Sequence, residues 1–154
     1  MTDSDINVFE KRGMSIVLNP ASNLKLASGI APVSLFMKKG INLALGTDGP
    51  ASNNALDMFR EMFLTTTLAK YRENDASAVD ANEVLKMATL GGAKAMGLRN
   101  CDTLSRGKKA DLIVIDLSQP NMQPINNITK NLVYSGSKIN VILTMINGNI
   151  LYQV

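Results

Sequence analysis

Two short apolar runs separated by a helical stretch constrain this chain more than any other feature. Met14-Ser15-Ile16-Val17-Leu18 stops at Asn19-Pro20, and Ile41-Asn42-Leu43-Ala44-Leu45 runs into Gly46-Thr47-Asp48-Gly49. Between them Pro32 stands where a first helical turn would begin, Val33, Leu35, Phe36 and Met37 follow, and Gly40 supplies the stop. Compact apolar runs of this length are how buried parallel strands read, and strand, helix, strand is the order of an α/β protein. The stretch Ala21 to Gly29, after the first strand, reads as a loop.

The flanks extend the pattern. Thr2-Asp3-Ser4-Asp5 offers a cap and early carboxylates for a short amphipathic helix that carries Ile6 and Phe9 and stops at Gly13. From Ala55 to about Arg72, Leu56, Phe59, Met62, Phe63, Thr66 and Ala69 recur at three- and four-residue steps, the mark of a helix packed on a sheet. A second helix starts near Asp80 and Asn82 and ends at Gly97, with Gly91-Gly92 either weakening its middle or letting another backbone come close. Beyond Gly97 the chain reads as β-rich: Leu112-Ile113-Val114-Ile115 is a strand, and Asn147-Gly148 is a two-residue hairpin signal flanked by apolar runs. The only seam lies between Gly97 and Lys109, which divides the chain into residues 1–97 and 98–154.

Composition removes several function classes. At 154 residues with 45% apolar content the chain can bury a core. The formal net charge is +3 and the basic residues are scattered, so no basic stripe of the kind nucleic acid needs is present. No apolar run approaches the ~20 residues of a membrane helix. A single cysteine, Cys101, cannot form an internal disulfide, and the first residues lack the layout of a signal peptide, which makes a cytoplasmic location the expectation. The chain has no histidine, the commonest transition-metal ligand and the usual acid–base residue near neutrality.

Among residues that could carry chemistry, Asp48 is the sharpest candidate. It follows an apolar strand, and its flanking glycines let the backbone turn and leave the carboxylate at an open end. Such a group suits a metal ligand or an acid–base role, although local spacing by itself favours a turn aspartate capping the next helix. The run Ser22 to Gly29 reaches the same end if the two strands are parallel, so its hydroxyl, amide and ammonium groups either orient a polar substrate or are polar because they are exposed. Ser52-Asn53-Asn54 reads as a helix cap in preference to a substrate contact. Cys101 has no histidine to activate it and reads as a buried or idle thiol. No GxGxxG or GxxxxGK[ST] pattern follows a strand, so phosphate cradling is unsupported.

Asn19-Pro20-Ala21-Ser22-Asn23-Leu24-Lys25-Leu26-Ala27-Ser28-Gly29-Ile30-Ala31-Pro32-Val33, followed by Leu45-Gly46-Thr47-Asp48-Gly49 and Ala51-Ser52-Asn53-Asn54, resembles the amidohydrolase superfamily. The nearest branch is that of the 5-methylthioadenosine/S-adenosylhomocysteine deaminases and their chlorohydrolase relatives. Asn82 to Gly97 and the run Gly107 to Asp116 extend the likeness over nearly the whole chain. The resemblance implies the C-terminal portion of a metal-dependent (β/α)8 TIM-barrel hydrolase, whose last two strands are Met14 to Leu18 and Ile41 to Leu45, plus the C-terminal strands of a small composite β-sandwich.

It also implies that Asp48 is the aspartate at the end of the eighth strand, which binds the catalytic metal, Zn²⁺ or another divalent ion, and shuttles the proton of the attacking water. The implied reaction is hydrolytic deamination of an adenine nucleoside. Two departures accompany it. The remaining metal ligands and the acid–base glutamate come from strands outside this chain, and Leu18 stands where the family usually has a histidine. One carboxylate cannot hold Zn²⁺, which takes about four ligands, so the expectation is a chain inactive by itself that associates with itself or with a missing N-terminal barrel segment. A guanine, cytosine or triazine hydrolase, or a non-catalytic degenerate scaffold or interaction fragment, are the alternatives.

Overall fold

The computed structural model describes residues 1–154, and the parallel pair read from the two apolar runs is present. Strand β1, Ser15–Leu18, lies parallel to β2, Asn42–Leu45, with Ser15 opposite Asn42 and Leu18 opposite Leu45. The ladder runs one step past β2, where the Gly46 N–H donates to Leu18 O at 2.9 Å. Leu18, Leu43 and Leu45 are buried in one core with Val33 and Phe36 of α3, Val33–Lys38. Val17, on the opposite face of β1, is 49% exposed.

Helix α1, Asp3–Arg12, begins in a capping box in which Thr2 and Asp5 each accept from the other's backbone N–H, and it ends at Gly13 in the left-handed region. Where the sequence reads as a loop after β1, the structure has a short helix α2, Pro20–Lys25. Pro20 opens it at a position where no N–H is needed, and Ala27 then turns the chain with φ 53°. The segment Ser52-Asn53-Asn54 likewise does not cap the next helix. It completes and follows α4, Pro50–Asn53, while Asp57 caps α5, Met58–Glu73, by accepting from the Phe59 and Arg60 N–H groups.

Helix α5 buries Met62, Thr66 and Ala69 of the expected stripe, with Thr65 and Glu61 beside them, while Phe63 is exposed and Leu56, read as part of the stripe, is exposed in the segment before the helix. Helix α6, Ala81–Lys86, is capped by Asp80 and passes through a π-helical turn, Met87–Gly91, into α7, Gly92–Ala95. The wider turn packs on β2. A Cβ on Gly91 would fall far inside contact distance of Leu43 O, and Asn42 Nδ2 donates to Gly91 O at 3.1 Å.

Beyond Gly97, β3 (Leu112–Ile115), β4 (Val141–Ile146) and β5 (Asn149–Gln153) form an antiparallel sheet in that order. Asn147 and Gly148 both take positive φ, as the tight β4–β5 hairpin requires. Between β3 and β4 the structure adds a helix that periodicity does not suggest, α8, Ile128–Tyr134. It packs back on α5 and α6, with Val133 in the main core and Tyr134 Oη 3.2 Å from Thr66 Oγ1. No helix is long and apolar enough to cross a membrane.

Candidate active site

The C-terminal ends of β1 and β2 bring together three backbone segments: the first turn of α2, the Gly46 to Gly49 turn, and α4. Asp48 is exposed and occupies the left-handed region with φ 57°, a conformation that aspartate tolerates better than most residues. Two residues before it, Gly46 is closely packed by side chains: a Cβ there would lie 2.6 Å from Asn19 Oδ1 and 3.0 Å from Val17 Cγ1, so the Asn19 side chain would have to shift.

Two hydroxyls converge on one oxygen of Asp48. Ser22 Oγ donates to Oδ2 at 2.7 Å and Ser52 Oγ donates to the same atom at 2.8 Å. Together with the Gly49 N–H they hold the carboxyl below the usual carboxylate range, the Ser22 bond contributing most and the Ser52 bond next. Asp48 is therefore ionised at neutral pH and able to take a proton or face a cation. No side-chain hydrogen bond reaches Oδ1.

The residues expected to line this mouth divide into those that meet Asp48 and those that brace its surroundings. Ser22, 2% exposed, and Ser52 meet it. Lys25 points its ammonium at Ala51 O, at 2.9 Å, and at Asn54 Oδ1, which ties α2 to α4 and leaves the ammonium pinned between two carbonyl oxygens. Asn53, 4% exposed, donates to Thr47 O at 2.6 Å.

Leu18 lies away from the mouth. It is 5% exposed and borders a small cavity with Asn23, Val33, Thr65, Leu68 and Ala69, in the layer between the strands and α5. Cys101 is half-buried, and desolvation first, then the nearby Asp111 carboxylate, push its thiol pKa up, which fits an unreactive thiol. It lines an open, largely apolar cleft of about 660 Å³ between α7 and the β3–β4 face, a cleft that Asp48 does not border.

Glu61 has no counterpart among the residues singled out from sequence. It is fully buried, accepting from the Ala21 N–H at Oε2, 3.1 Å, and from Asn53 Nδ2 at Oε1, 2.6 Å. The available signal was a charged residue four and eight positions before Thr65 and Ala69, on the inward stripe of a helix whose one other acidic residue, Glu73, is exposed.

Nowhere in the structure do three or more His, Cys, Asp or Glu side chains converge as a metal cluster. Asp48 and two serine hydroxyls do not amount to a zinc site, which takes about four nitrogen, sulfur or carboxylate ligands. The arrangement by itself offers one ionised, hydrogen-bonded carboxylate at the end of a parallel strand.

The amidohydrolase family model matches residues 1–151. The chain is 49% identical, over 99% of its own length, to a 5-methylthioadenosine/S-adenosylhomocysteine deaminase of Caldanaerobacter subterraneus subsp. tengcongensis, and covers 36% of that enzyme. It is 43% identical to a 5'-deoxyadenosine deaminase of Methanosarcina mazei, covering 99% of this chain and 35% of that one. A crystal structure of an adenosine deaminase from Xanthomonas campestris with bound zinc superposes with a TM-score of 0.95 at 42% identity, covering 99% of this chain and 35% of that one. The chain thus spans about a third of the length of the curated relatives it matches, and its fold is a C-terminal portion of their TIM-barrel architecture. On that family match and on relatives more than 40% identical along nearly its whole length, the chain belongs to the amidohydrolase family.

Proposed function

We propose that these residues supply the Asp48-bearing final part of a metal-dependent deaminase that acts on an adenine nucleoside such as 5-methylthioadenosine or S-adenosylhomocysteine. The carrying observation is the ionised Asp48, held by Ser22 and Ser52 at the C-terminal end of β2, where catalytic groups of TIM barrels sit. In this reading residues 1–97 belong to the barrel and residues 98–154 to the β-sandwich, the two sharing a core through α8, in a cytoplasmic setting.

Hydrolytic deamination replaces the exocyclic C–N bond of the purine with a C–O bond from water and releases ammonia. Asp48 takes the proton that the attacking water loses and returns it toward the departing nitrogen. Its depressed pKa keeps it unprotonated before the attack, and the Ser22 and Ser52 hydroxyls engage Oδ2, leaving Oδ1 without a side-chain partner and open to that proton. Zinc, when bound in the complete barrel, would polarise the water. Asp48 is the one ligand this chain offers it, and the others lie outside these residues.

The chain alone is therefore inactive, and it associates either with itself or with the remainder of a barrel. Co-expressing it with the N-terminal two-thirds of the Caldanaerobacter relative tests this. Ammonia release from 5-methylthioadenosine is expected only from the combined pieces, with zinc bound, and Asp48→Asn abolishes it. Ammonia release by the isolated chain sinks the inactivity, and a combined enzyme indifferent to Asp48→Asn sinks the role of Asp48.

A further inference from the structure

We infer that Glu61 is the positioning residue of the Asp48 site, its buried carboxyl clamping the two segments whose serines hold Asp48 Oδ2. For its catalytic meaning this rests on the role proposed for Asp48, while its geometry stands on distances alone.

One oxygen of Glu61 accepts from the Ala21 N–H at 3.1 Å, and the next residue, Ser22, donates to Asp48 at 2.7 Å. The other accepts from Asn53 Nδ2 at 2.6 Å, and the preceding residue, Ser52, donates to Asp48 at 2.8 Å. The same Asn53 amide nitrogen donates to Thr47 O at 2.6 Å, one residue before Asp48. All three segments that meet at Asp48 are thus tied, directly or through Asn53, to one fully buried group on α5.

Core filling does not explain that group. An uncharged side chain would fill the space at less desolvation cost, and a buried carboxyl is tolerated only where its partners are satisfied. Ala21 lies in the first turn of α2, where an N–H has no carbonyl acceptor within the helix, so Glu61 supplies the partner the helix lacks. A Gln at this position has one acceptor and one NH2 group, so in either orientation it presents a donor to a donor and loses one arm of the clamp.

Nuclear magnetic resonance of the labelled 154-residue chain tests the inference without metal or substrate. In the wild type the Ala21 amide is expected to exchange with solvent roughly ten- to a hundredfold more slowly than an unpaired first-turn amide. Glu61→Gln should move the Asp48 carboxyl ¹³C resonance, and in a Ser22→Ala/Ser52→Ala background the same substitution should move it clearly less, because only the route through Asn53 and Thr47 O then remains. An Asp48 signal indifferent to Glu61→Gln in a folded chain overturns the inference, as does one that moves equally when both serines are gone. Should Glu61→Gln not fold, the wild-type exchange rate decides, and a fast-exchanging Ala21 amide overturns it. Failure of the chain to contribute to zinc binding or deamination would count against the proposed function and leave these readouts unchanged.

Discussion

Gly91→Ala and Gly92→Ala, adjacent substitutions of identical chemistry, should move stability in opposite directions. A Cβ on Gly91 meets the backbone of β2, falling far inside contact distance of Leu43 O and 3.0 Å from Leu43 C. Neither atom belongs to a flexible side chain, so the π turn and the strand must separate by more than about 1 Å before ordinary contact is restored. That separation also stretches the bond from Asn42 Nδ2 to Gly91 O. Overpacking of a core costs about 1–3 kcal/mol where side chains can yield, so this backbone-on-backbone case should cost about 3 kcal/mol or more. A Cβ on Gly92 meets only Met87 O, at 4.0 Å, and there the substitution should gain about 0.5–1 kcal/mol from helix propensity. With a urea m value of about 2 kcal/mol/M, the two midpoints should stand roughly 2 M apart, wild type between them and nearer Gly92→Ala. Urea unfolding followed by circular dichroism measures this. A Gly91→Ala midpoint equal to or above wild type would refute the close approach of the π turn to β2.

Three further outcomes follow from the site and its surroundings. Ser22→Ala removes the strongest influence that depresses the Asp48 pKa, so the carboxyl should titrate closer to the ordinary value of about 3.9 in a ¹³C titration. Because a depressed carboxylate adds stability above its unfolded pKa and loses it as pH falls through the folded one, the stability gap between wild type and Ser22→Ala should be present at neutral pH and vanish in acid. An Asp48 pKa unmoved by the substitution would remove the serine clamp from the account. Leu18→His places a polar ring in the layer between β1 and α5, and should cost about 1–3 kcal/mol without adding a metal ligand, which isothermal titration with zinc can check. A zinc affinity created by that histidine would contradict the position of Leu18. Val17→Lys alters an exposed apolar position on the open face of β1, so it should change stability by less than about 0.5 kcal/mol while reducing self-association in sedimentation, and a large loss of stability would show that this face is already covered.

The parts of this fold that could be read from sequence are those whose local signals and tertiary roles coincide. The apolar runs 14–18 and 41–45 become β1 and β2, paired in parallel with Leu18, Leu43 and Leu45 in one core, although Met14 and Val17 of the first run are exposed. Asn147-Gly148 makes its hairpin because only a pair tolerant of positive φ closes that turn. For Gly91-Gly92 the sequence leaves a weakened helix middle and a close approach both open, and the structure has the close approach, at Gly91 alone and within a π turn packed on β2 that no local signal marks. Helix α2 was missed because its six residues, PASNLK, have no apolar stripe, and the Glu61 carboxyl and the Ala51 carbonyl that brace it lie 26 to 40 residues away. Helix α8 was missed because a seven-residue segment after an Asn- and Pro-rich stretch owes its shape to docking on α5 and α6.

Asp48 shows where sequence reasoning and geometry part company. Local spacing favoured a plain turn aspartate, and the residue does sit in a turn just before α4. A capping role would have directed its carboxylate at the first N–H groups of α4, yet the side chain is held chiefly by two serine hydroxyls from different segments. A turn needs no such convergence, and no fully buried carboxyl two contacts away. The same asymmetry marks β1: Leu18 packs inward against α5, while Val17 presents a large apolar side chain on the face that it shares with Gly46 and Asn19. A parallel strand pair is stable with both faces covered, and this pair has one face packed by helices and the other open. On the role proposed for Asp48, the ligands it lacks and the cover Val17 lacks would both come from further strands laid beside β1 and β2. A cover that buried Val17 without bringing ligands to Asp48 would serve the fold alone, which is why complementation has to be scored by burial and ammonia release together.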